Sequence, residues 1–248
     1  MTMARLAACV AILVGGWTAA APAAAQIPDT FDNLQVLPND IPREALVQRM
    51  REFSFALGVR CQYCHAGGDG VSFEGVAFSS DAKPAKVKAR AMLRMVATLN
   101  NVLLAQLPSR RDPPVTVDCV ICHRGLPLPK TLATELMDVI RTRGVAAAVD
   151  HYRELRETTT LLGRFSFDQW TMNELARQLG DAGNDDAAIA MLKLNAEYYP
   201  KSADIDYMLG ELYRKKGDRE QAIAHYRAAL EKNPEFTSAR RRLEELLK

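Results

Sequence analysis

The sequence predicts an all-α protein made of two unlike helical halves. Three observations carry this: apolar residues in the first half recur at helical spacing, the second half repeats itself every 34 residues, and no βαβ pattern is visible. With 248 residues, 48% hydrophobic and 25% charged, the chain has an ordinary globular balance and room for one large domain or two small ones. A net charge of +2, from 32 basic and 30 acidic side chains, is small for a protein that neutralises phosphates, so nucleic acid is not an expected partner. No apolar run reaches the roughly 20 residues of a stop-transfer helix.

Residues 1–25 read as an export signal. Arg5 gives a positive start, Leu6 to Trp17 is apolar apart from Gly15 and Gly16, and Ala23-Ala24-Ala25 offers small residues for cleavage before Gln26. A buried N-terminal helix is the competing reading. Leu6-Ala7-Ala8-Cys9 looks like a lipoprotein cleavage site, but the apolar stretch follows Cys9 instead of preceding it. Cleavage removes Cys9 and places the remaining chain in an exported, oxidising compartment, expected to be the periplasm, with peripheral membrane association left open.

The four cysteines that remain fall in two pairs, each followed at once by histidine: Cys61-Gln62-Tyr63-Cys64-His65 and Cys119-Val120-Ile121-Cys122-His123. This is the c-type haem attachment pattern. Two intervening residues let both sulfurs reach the vinyl groups on one edge of the macrocycle, and the next side chain comes under the iron. His65 and His123 are then the proximal ligands of two covalently bound haem c groups. Disulfides would not explain a histidine after each pair. A four-thiolate zinc site would have to bridge the 55 positions between Cys64 and Cys119. A thioredoxin-like redox pair would sit beside a βαβ unit.

The distal ligands follow by elimination. Of four histidines, His151 and His225 remain, and both sit in near-identical helical contexts (148–153 and 222–227), which reads as repeat packing. Methionine is the alternative. Pro42 opens a helix and Gly58 closes it, with Leu46, Met50, Phe53 and Leu57 on one face. Folded back, that face would lie on a porphyrin and offer Met50, though methionine also fills cores well. A second helix begins at Lys83-Pro84 and runs to about Leu104, carrying Met92 and Met95. Spacing does not separate these two, although Met95 shares a stripe with Ala91, Leu99 and Val102.

The segment from Val36 to about Pro129 resembles the cytochrome c subunit of photosynthetic reaction centres and its small non-photosynthetic relatives. The matching text is Val36-Leu37-Pro38, Met50-Arg51, Ala56 through Cys61, Phe78-Ser79-Ser80-Asp81 with Lys83-Pro84, Ala89 through Met95, and Val117-Asp118-Cys119 through Gly125. The resemblance implies that each haem lies against the helix preceding its motif and that a methionine of that helix completes the iron. It favours Met95 over Met92, because Met95 precedes Leu99-Asn100. The full reaction-centre subunit looks like a tetrahaem protein with a further histidine ligand. This chain carries two attachment motifs and no histidine between His65 and His123, so a role on a photosynthetic reaction centre is not implied.

In the second half, Leu175/Leu209, Gly183/Gly217, Ala188/Ala222, Ile189/Ile223 and Pro200/Pro234 recur at an interval of 34. This is the period of tetratricopeptide repeats. The unit 203–236 keeps Leu209-Gly210, Tyr213, Ala222, Tyr226, Ala229 and Pro234. The unit 169–202 is looser, with Ala176 for the glycine. Residues 237–248 read as a polar capping helix, and 132–157 as a degenerate earlier unit followed by a longer loop. The expected organisation is a leader (1–25), a di-haem cytochrome c domain (26–129), a helical connector or degenerate repeat (130–168), and repeats with a cap (169–248).

A haem with both axial positions filled exchanges electrons and has no open place for substrate. The expectation is therefore an electron-transfer protein, not an enzyme, relaying electrons between redox protein partners, with the repeats docking one of them. A haem-stapled scaffold and a di-haem peroxidase are the alternatives.

Overall fold

The computed structural model describes residues 27–107, 115–158 and 163–248; the leader expected at 1–25 lies outside them. The described residues form ten α-helices and one two-stranded antiparallel pair, so the all-α expectation holds.

Helix α1 (Arg43–Leu57) starts after Pro42, and Gly58 closes it in the left-handed region at φ 65°. A 3₁₀ turn at Cys61–Tyr63 leads to strands β1 (Ala66–Gly67) and β2 (Val76–Ala77), paired Ala66 to Ala77. Helix α2 (Pro84–Thr98) has proline in its first turn, where a missing N–H costs nothing. Its α-helical part stops before Leu104: residues Leu99–Leu103 form a wider π turn, followed by a 3₁₀ turn at Leu104–Gln106. Such a wide turn is frequent at functional sites. Here it carries Asn100, whose side chain donates to the Val117 carbonyl at 2.7 Å and accepts from the Val117 N–H at 2.7 Å. That pair of hydrogen bonds ties the turn after α2 to the chain entering α3 (Cys119–His123). Asp118 caps α3 by accepting from the Ile121 N–H.

The rest is a stack of helical hairpins: α4 (Leu132–Arg143) with α5 (Val145–Thr158), α6 (Gln169–Asp181) with α7 (Asp185–Tyr198), and α8 (Ala203–Lys215) with α9 (Arg219–Lys232), followed by α10 (Thr237–Leu247). Helices α8 and α9 start and end 34 residues after α6 and α7. Helix α4 packs on α6, α5 on α7, α7 on α8 and α10 on α9. Side-chain caps from Thr131, Asp168, Asn184 and Asp218 mark four of these helix starts.

The glycine of the second repeat has a steric reason. A Cβ on Gly210 would come within 2.6 Å of the Tyr226 ring, which is fully buried against α8. A continuous apolar core runs through α4–α8, with Leu136, Tyr152, Met172, Leu175, Met191 and Leu209 almost completely buried. The contrast with the first half is large. Among the described residues of 27–129, only Leu46 and Ala56 are buried apolar side chains.

Candidate cofactor site

Partly buried apolar side chains of the first half line an open cleft of about 1340 Å³, mouth included. Met50, Phe53 and Leu57 of α1 form one wall, as the α1 face predicts. Leu34 to Leu37 and Phe78 form another, and Ala85, Ala89, Met92 and Leu93 of α2 close the side. Cys61, Cys64 and His65 of the first motif line it too, as do Cys119, His123 and Pro127.

The four motif cysteines are free thiols. Burial, with Cys61 beside it, pushes the Cys64 thiol up. Burial, with Asp118 beside it, does the same to Cys119. Each motif histidine turns the same atom to the backbone: His65 Nδ1 lies 3.2 Å from the Phe78 carbonyl and His123 Nδ1 lies 2.8 Å from the Leu126 carbonyl. A donor bond at Nδ1 fixes the tautomer that leaves Nε2 bare, the arrangement metal-ligating imidazoles use. Burial, and then the charge of Lys86, hold His65 below the usual histidine range, against the pull of the Phe78 carbonyl. Its imidazole is therefore neutral at pH 7. The Phe78 ring stands edge-on to it, with centroids 5.1 Å apart.

The two motifs are held back to back. The Gly125 N–H donates to the Ala56 carbonyl at 2.8 Å, and Gly58 lies so close that a Cβ on it would sit 2.3 Å from the Gly125 carbonyl oxygen. Both glycines adopt positive φ. Chain entering the first motif is thereby pinned to chain leaving the second.

The methionines divide. Met50 and Met92 line the cleft and Met95 does not, although Met92 and Met95 are about equally exposed, at 43% and 46%. Val102, Leu103, Leu107, Val115 and Ile121 are exposed apolar side chains as well. His151 and His225 are engaged elsewhere, as their repeat context predicts. His151 Nε2 lies 2.9 Å from Glu135, and His225 Nδ1 lies 3.1 Å from Asp206 with its ring stacked on Tyr213.

These residues suit a covalently attached haem. Cys61, Cys64 and Cys119 line the cleft as free thiols, a neutral imidazole leaves Nε2 bare, and the apolar cradle belongs to a half that buries almost no core of its own among the described residues. Sequence reasoning missed the carbonyl acceptors of Phe78 and Leu126, the Gly58–Gly125 contact and Lys86. Backbone acceptors carry no side-chain signal, and a lysine in a helix normally reads as a solvated charge.

Comparison with known proteins agrees with this chemistry. A family model described as the photosynthetic reaction centre cytochrome C subunit matches residues 12–181, and a tetratricopeptide repeat model matches residues 207–236. Cytochrome c-554 of Chloroflexus aurantiacus is 35% identical over 102 residues, 41% of this chain and 22% of that protein. The chain thus spans about a fifth of the length of that relative.

Proposed function

On the premise that this chain belongs to the photosynthetic reaction centre cytochrome c subunit family, and is a c-type cytochrome of electron transfer, we propose that it is an exported di-haem electron carrier. Cys61 and Cys64 would hold one haem c, with His65 and Met50 binding its iron. Cys119 and Cys122 hold the other, with His123 and Met95. Haem c supplies a one-electron couple; the chain's own residues anchor it, fill its axial positions and exclude water from its apolar faces.

The observation that carries the reading is the repeated arrangement at the two motifs, each with paired thiols and a histidine whose Nδ1 faces a backbone carbonyl. The back-to-back contact through Gly58 and Gly125 supports a short relay between the two groups. The resemblance favours Met95 as the ligand of the second haem, and the exposure of Met95, Val102 and Ile121 leaves apolar surface that such a haem would cover. The tetratricopeptide repeats serve protein–protein interaction, and we assign them the docking of a redox partner. No described helix is long and apolar enough to cross a membrane. We place the protein in the periplasm on the strength of the signal read at residues 1–25.

Pyridine haemochrome quantitation with redox potentiometry on exported protein tests this. Two covalent haems per chain, both low-spin and six-coordinate, are expected. A colourless protein, or thiols joined to one another or holding zinc, overturns the reading. Rapid peroxide turnover with a five-coordinate signal reassigns it to the peroxidases.

A further inference from the structure

The two histidine–carbonyl contacts differ in one respect. The Phe78 carbonyl that faces His65 Nδ1 at 3.2 Å also accepts from the Lys86 ammonium at 2.7 Å. The Leu126 carbonyl that faces His123 Nδ1 at 2.8 Å accepts from no lysine or arginine among the described residues. Lys86 is well buried for a lysine, with 13% of its side chain exposed. It is held in place by the Ser80 carbonyl at 3.0 Å and Asp81 at 3.3 Å. Asp81 is shared with Arg90, itself buried, so the group of Lys86, Asp81 and Arg90 carries one net positive charge beside the cleft.

From this geometry we infer that Lys86 is a positioning residue that raises the reduction potential of the haem attached at Cys61 and Cys64 relative to its neighbour. The inference rests on the reading of His65 as an axial ligand. A carbonyl already polarised by an ammonium is a poorer acceptor for the imidazole N–H. The imidazole then gains less anionic character and stabilises ferric iron less. The nearby positive charge acts in the same direction, because the oxidised group carries one more positive charge than the reduced one. His123 keeps the shorter, unshared bond and the more basic ring. One electron added to the pair settles on the His65 side.

Redox potentiometry of the haem-loaded full chain tests this with Lys86→Gln, which keeps a donor without the charge, and Lys86→Arg, which keeps the charge. Lys86→Gln is expected to lower one of the two potentials by about 59 mV, a tenfold change in that haem's reduction equilibrium, and leave the other in place. Lys86→Arg is expected to stay near wild type. Unchanged potentials in Lys86→Gln, an equal fall in both, or failure of arginine to rescue overturns the inference. Should the variants not take up haem, the unmutated protein decides. Its two proximal Nδ1–H protons should give distinct resonances in the reduced state, with the weaker hydrogen bond at His65; equivalent resonances overturn it. Failure of the parent reading looks different, since wild-type protein would then lack haem at Cys61 and Cys64 or lack His65 ligation.

Discussion

Replacing Gly58 by alanine should loosen both haem motifs at once. Gly58 sits at φ 65°, where an L-side chain costs about 1–2 kcal/mol. The new Cβ would lie 2.3 Å from the Gly125 carbonyl oxygen, backbone that cannot rotate away, so the two segments must separate by about an ångström. Overpacking of that kind costs about 1–3 kcal/mol. Separation also breaks the Gly125 to Ala56 hydrogen bond, worth about 0.5–1.5 kcal/mol. The total is about 3–6 kcal/mol. Gly70→Ala is the matched control: its φ is 85°, yet nothing lies within 4 Å of its Cβ, so only the backbone cost of about 1–2 kcal/mol applies. Guanidinium unfolding of haem-loaded protein, followed by Soret absorbance, measures both. Gly58→Ala should be less stable than Gly70→Ala by about 2–4 kcal/mol. Equal midpoints would refute the claim that this contact holds the motifs together.

The other predictions concern separate parts of the molecule. Changing all four motif cysteines to alanine should abolish helical structure over 43–123 while the repeats still melt cooperatively, because only Leu46 and Ala56 are buried apolar residues in the described part of that half; circular dichroism and limited proteolysis read this, and a protease-resistant first half would contradict it. Among Met50→Leu, Met92→Leu and Met95→Leu, the first and third should each remove part of the methionine–ferric charge-transfer absorption and the second should not. Gly210→Ala should destabilise by about 1–2 kcal/mol because its Cβ meets the Tyr226 ring at 2.6 Å, while Gly180→Ala, which meets only the end of Leu212 at 3.2 Å, should be neutral or gain up to about 1 kcal/mol in urea unfolding. Asp206 is held below the usual carboxylate range: burial opposes ionisation, but His225 and Lys232 outweigh it. Its contribution is therefore present above the ordinary value of 3.8 and lost as pH falls through the lower folded value, so Asp206→Asn should cost stability at neutral pH and flatten the acid limb of a stability–pH curve.

Much of the molecule was legible because its causes are local. Pro42, Gly58 and Pro84 act on their own backbone and set helix ends that the structure reproduces. The 34-residue period reappears as helices α6–α7 and α8–α9 in register, since each repeat must present the same apolar face to its neighbour. Residues 132–157 read correctly as a helix pair. The end of α2 did not: periodicity continues to Leu104, but a bond from Asn100 to Val117, seventeen positions away, accompanies a change to a π turn. The sharing of the Phe78 carbonyl between His65 and Lys86 was illegible for the same reason, since it joins three segments through a backbone atom. On α2, Met92 and Met95 face different surroundings that a three-residue spacing does not distinguish.

Leu126, three residues beyond His123, packs on the core of the hairpin stack, and Arg164 donates to the Gly125 carbonyl at 3.2 Å. No swivel therefore separates the second imidazole from the helical array. If His123 holds iron as proposed, a protein that grips the array takes hold of the bracket on which that iron would be mounted. The distance an electron would jump to it would then be set by packed helices instead of by the swing of a tether.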